Sequence, residues 1–130
     1  MTGMKHSIAS AVILISLLLC GCNQSRRQLP SGYSLERFDE GGTSYYVVAP
    51  GKVLEGGGAF DGTVHQIGWN NDWILAYVNR IYGGDTNGWY VLNLKTSQIT
   101  GPFQDAELKT NLAFSSIKTV QPVAVFSGNQ

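Results

Sequence analysis

The stretch from Val64 to Phe103 constrains the fold most, because its apolar runs have strand length and are cut by turn formers. Asn70-Asn71-Asp72 separates two such runs, and Asn and Asp tolerate positive φ better than other non-glycine residues. A two-residue turn centred on Asn71-Asp72 pairs Asn70 with Trp73 and Trp69 with Ile74. The next run, Trp73-Ile74-Leu75-Ala76-Tyr77-Val78, is apolar at every position. That pattern predicts a central strand covered on both faces. Tyr82 to Gly88 is a loop rich in turn formers, and Trp89 to Leu94 forms the third strand. Lys95-Thr96-Ser97-Gln98 then turns the chain into a short edge segment, Ile99 to Phe103. The whole is an antiparallel meander.

A run of four short strands with a tryptophan near a turn resembles one blade of a β-propeller. No second copy of the pattern exists in the chain, and a single blade cannot bury its own faces. The expectation is therefore a standalone sheet.

Upstream, Met1 to Leu19 reads as a targeting segment. Lys5 supplies a positive start, and Ile8 to Leu19 is an apolar or small-residue run of twelve. That is shorter than the roughly 20 residues of a permanent membrane-spanning helix. The run ends in Leu19-Cys20-Gly21-Cys22, which resembles the lipobox of bacterial lipoproteins. Gly21 precedes Cys22 and Leu19 stands three before it, so Cys22 matches the modified cysteine. Cys20 occupies the small-residue slot, where Ala, Ser or Thr is more usual. The resemblance implies cleavage after residue 21 and acyl chains on Cys22, which anchor the protein to a membrane. It also leaves the mature chain without a disulfide or a cysteine metal site. Asn23 is not the Asp that retains enterobacterial lipoproteins in the inner membrane. In a Gram-negative cell the implied location is the outer membrane, facing the periplasm.

Residues 22–32 are then expected to be the lipidated N-terminus and a polar tether, with Arg26 and Arg27 available to anionic head groups. Residues 33–130 suit one small β-rich domain. Tyr33 to Phe38 and Ser44 to Ala49 form a strand pair, and Lys52 to Glu55 a further short strand. Gln104 to Phe114 carries Leu108 and Leu112 at helical spacing, with Asp105 and Glu107 in the first turn. It is the one helix expected. Ile117 to Phe126 reads as a last strand, in which Pro122 demands an edge position or a bulge. The fold class is α+β, mostly β: a small antiparallel meander sheet with one helix near the C-terminus.

Chemistry-bearing residues are sparse. His65 is the sole histidine after Cys22, which excludes a multi-histidine metal site, and beside Ile67 and Trp69 it reads as a partly buried packing residue. No Gly-x-Ser-x-Gly or Ser-x-x-Lys motif is present. Asp61 with Asp72 or Asp85 offers a carboxylate pair only if the fold brings them together, and no closing Glu completes a calcium loop. Gly56-Gly57-Gly58 lacks the Lys and Ser/Thr of a phosphate loop. From Cys22 onwards there are eight Lys or Arg (nine less Lys5) against nine Asp or Glu. That balance argues against a nucleic-acid partner.

The aromatic residues remain. Core packing accounts for most of them, but Trp73 and Trp89 start strands beside loops, and Tyr82 stands in one. Trp and Tyr are enriched at binding hot spots. These three are the candidate binding surface. The expected function is a membrane-anchored envelope lipoprotein, a non-catalytic binding or accessory module for a protein or glycan, without cofactor or metal. The alternatives are a small envelope hydrolase using carboxylates and a purely structural lipoprotein.

Overall fold

The computed structural model describes residues 25–80 and 87–127. The expected targeting segment with Cys20 and Cys22, and the loop residues Tyr82 and Asp85, lie outside the described residues. Seven strands run in chain order: β1 Arg26–Gln28, β2 Ser34–Phe38, β3 Ser44–Val48, β4 Gly62–Trp69, β5 Trp73–Arg80, β6 Gly88–Asn93 and β7 Ile99–Phe103. Two short helices follow, α1 Asp105–Thr110 and α2 Pro122–Val125. The strands form two antiparallel sheets, a three-stranded one in the order β1-β2-β3 and a four-stranded meander in the order β4-β5-β6-β7.

The meander has the register expected of its turns. Trp69 pairs with Ile74, and Asn70 N donates to Trp73 O at 3.0 Å. The Asn70 side chain fixes the turn by accepting from the amides of Asp72 and Trp73, both at 2.9 Å. Asn93 repeats the device between β6 and β7, accepting from Lys95 N and Thr96 N.

Strand β5 is covered on both faces. Ile74, Ala76 and Val78 point into one core with Leu35, Val47 and Phe60 of the first half of the chain. Leu75 points the other way, into a second cluster with Val91, Leu108 and Phe114. The three-stranded sheet thus closes one face of the meander, and the segment after β7 closes the other.

Four expectations need correction. Residues 26–32 belong to the fold and not to a tether, because β1 pairs with β2 from Arg26 onwards. The alternation of Arg27 and Leu29 explains why: Leu29 is buried in the first core. Arg27 lays its guanidinium over Phe126, 5.9 Å from the ring centroid, and donates to Phe126 O at 3.0 Å. A stem-and-head side chain of this kind covers apolar surface while staying charged. Lys52 to Glu55 is irregular, and Val53 is 75 % exposed. The glycines that follow make a tight turn against β3, where a Cβ on Gly58 would meet Val47 O at 2.4 Å.

Helix α1 stops four residues short of Phe114. Glu107 caps its start by accepting from Gln104 N at 2.9 Å, whereas Asn111 ends it with extended backbone. Leu112 is consequently 89 % exposed, and Phe114 takes the buried position instead. The last expected strand contracts to one bridge, Val120 with Ile67. Pro122 lacks the amide that pairing needs, and its fixed φ suits the first turn of a helix, so α2 begins there.

Between these elements the chain crosses from one face of the meander to the other. It passes over β4 at Gly68, where a Cβ would meet Lys118 O at 2.2 Å. It bridges to Ile67 at the sheet edge, then places Val125 in the first core.

Candidate functional site

The segment that covers the second face does not seal it. Between α1 and residues 114–119 a cleft of about 390 Å³ remains, floored by Leu75 and walled by Trp89, with Leu108, Phe114 and Ile117 around it. Trp89 sits there because β6 pairs it with Tyr77, putting both rings on the face that carries Leu75. The two rings meet edge to face at 5.4 Å, an arrangement that aromatic quadrupoles favour. The indole Nε1 donates to Asp105 Oδ1 at 2.5 Å, which locks the wall to the start of α1. Lys109, one turn further along the helix, lines the cleft as well. An apolar floor, one fixed aromatic wall and a few polar groups are the makeup of a small-ligand or side-chain pocket.

Of the candidate binding residues, Trp89 lines the cleft. Trp73 lies on the same face but under Phe114, edge to face at 5.0 Å, so it packs the second core. Tyr82 is outside the described residues.

His65 is exposed and not packed beside Ile67 and Trp69. The ladder slips between Val64 and Gln66, so His65 is the additional residue of a β-bulge. A bulge re-aims the side chain it inserts, and this one returns Val64 and Ile67 to the same core. The carboxylates are apart as well. Asp61 pairs with Arg80 at 3.1 Å, and Asp72 lies 3.7 Å from Lys95 at the other end of β5. The ends of this eight-residue strand lie about 23 Å apart. Arg80 also stacks over Tyr90 at 5.4 Å, and a hydrogen bond to Tyr90 is the foremost cause that raises its pKa. Among the described residues no group of three His, Cys, Asp or Glu is placed to hold a metal ion, and no helix is long and apolar enough to cross a membrane.

Asp105, Leu108, Phe114 and Ile117 are the site residues that a single long helix over 104–114 conceals. Their signal was the spacing of Leu108, Phe114 and Ile117, which fits neither period of regular structure.

No family model matches the chain, and no curated protein or solved structure shows significant similarity to it.

Proposed function

We propose that the protein is a lipid-anchored component of a bacterial envelope that binds a partner through the cleft at Trp89, without catalysing a reaction. The anchor rests on the sequence Leu19-Cys20-Gly21-Cys22, and the implied location is the outer membrane facing the periplasm where the cell is Gram-negative. The observation that carries the binding reading is Trp89 itself. A large ring stands at an open cleft, held by Tyr77 and Asp105, so little side-chain freedom is lost when a partner covers it. Asp105 is already engaged by the indole, whereas Lys109 adds a positive charge to the cleft's lining. The cleft suits a partner segment with an apolar group for Leu75 and Trp89 and an anion for Lys109.

The test is photo-crosslinking in membranes from a benzophenone side chain at position 119 on the cleft wall, comparing wild type, Trp89→Phe and Lys109→Ala. Phe keeps the packing and removes the N–H. A discrete crosslinked species that both substitutions weaken at unchanged thermal stability supports the reading. An identical crosslinking pattern in all three proteins sinks it.

A further inference from the structure

A second cavity lies on the opposite side of the chain's final crossing. It measures about 270 Å³ and is bounded by the start of β3, the first half of β4 and residues 121–123. Its volume is near the lower end of ligand pockets, about 300 Å³. We propose that this cavity binds a single neutral sugar ring.

The bulge in β4 creates the polar wall. Ordinary alternation from Ile67 and Trp69 would turn residue 65 inward, but the slipped register directs His65 to the surface beside Thr63. Thr63 Oγ1 lies 3.2 Å from His65 Nε2, so this nitrogen and the hydroxyl fix one another. The other ring nitrogen, Nδ1, has no partner among the described residues. Ser44, Tyr45 and Gln121, whose side chains carry hydroxyls and a carboxamide, line the cavity as well. These groups both donate and accept, as sugar hydroxyls do.

The remaining wall is apolar. Val64 and Pro122 are buried beneath the cavity, and Val123 stands 56 % exposed at its edge. A pyranose has a C–H face for such a surface and a rim of hydroxyls for the polar one. No Lys, Arg, Asp or Glu lines the cavity. An anion such as phosphate would lose its hydration there with no full countercharge, and an ammonium ligand would fare the same.

Two histidines, His6 and His65, occur in the whole sequence, so selective ¹³C labelling of histidine gives a readout that His65→Gln assigns. The acylated chain in a detergent without sugar head groups is titrated with N-acetylglucosamine and, separately, with inorganic phosphate. The expected result is a saturable His65 shift with the sugar, at a Kd of about 1 mM, and none with phosphate. Thr63→Val and Gln121→Ala should each weaken it at least about fivefold, roughly one lost hydrogen bond. Gln121 is exposed, so its variant remains informative if Thr63→Val folds poorly. Trp89→Phe should leave the titration unchanged, which separates this site from the cleft. A linear response to the sugar, a saturable response to phosphate, or loss of the shift in Trp89→Phe overturns the proposal.

Discussion

Ile67 and Val120 exchange two backbone hydrogen bonds, each 2.9 Å long. This single bridge is the point at which the last segment leaves one face of the meander and enters the other. Both cavities depend on it, since residues 114–119 wall the first and residues 121–123 bound the second.

The crossing needs a glycine at position 68. Gly68→Ala places a methyl group where Lys118 O and the Ile117 side chain already sit, at 2.2 and 2.8 Å. Backbone on one side cannot give way cheaply, so the expected loss is about 1–3 kcal/mol. Amide exchange at Ile67 and Val120 should quicken more than at Val91, in the centre of the sheet. Uniform exchange, or a denaturant melt unchanged by the substitution, would show that the segment does not lie against β4.

Ile74 and Leu112 should behave as opposites although both are large aliphatic residues. Ile74 is fully buried in the first core, so Ile74→Ala should cost about 2–5 kcal/mol. Leu112 projects into solvent past the end of α1, and Leu112→Ala should stay within about 0.5 kcal/mol. Equal losses in urea melts would restore the longer helix.

Trp73→Ala should lower stability by about 3–5 kcal/mol at most, since the ring is half-buried and packed edge to face with Phe114. Its effect on crosslinking should then follow from the fraction unfolded. Reduced crosslinking at full thermal stability would move the binding surface towards the Asn70–Asp72 turn.

The proposed anchor makes a sharp distinction between two cysteines. Cys22→Ala should abolish acyl labelling and leave uncleaved precursor, whereas Cys20→Ala should retain both labelling and cleavage. Loss of lipid in the Cys20 variant alone would overturn the assignment.

The meander was legible because its strands and turns are local. Asn70 and Asn93 sit at the turns, and β5 is apolar throughout. What stayed hidden depends on contacts distant in sequence. Arg27 looks like part of a solvated linker until Phe126 arrives beneath it, 99 residues later. Alternation alone turns His65 to the face of Ile67 and Trp69, because it assumes an unbroken ladder. The three-residue step from Val64 to Ile67 was the available sign of a bulge. The cleft was illegible for a related reason: nothing local says that Phe114, and not Leu112, returns to the sheet over Trp73.

Strand β1 carries a last consequence for the proposed anchor. Ser25 O already accepts from Arg37 N at 2.7 Å, so Asn23 and Gln24 alone separate an acylated Cys22 from the fold. Three residue steps reach at most about 11 Å, little more than one leaflet's head-group layer of about 5–8 Å. On so short a leash the protein cannot probe the space beyond the bilayer as a ball on a string would. If Cys22 is acylated, it would skate on the membrane skin, and its encounters with a partner would become a search in two dimensions.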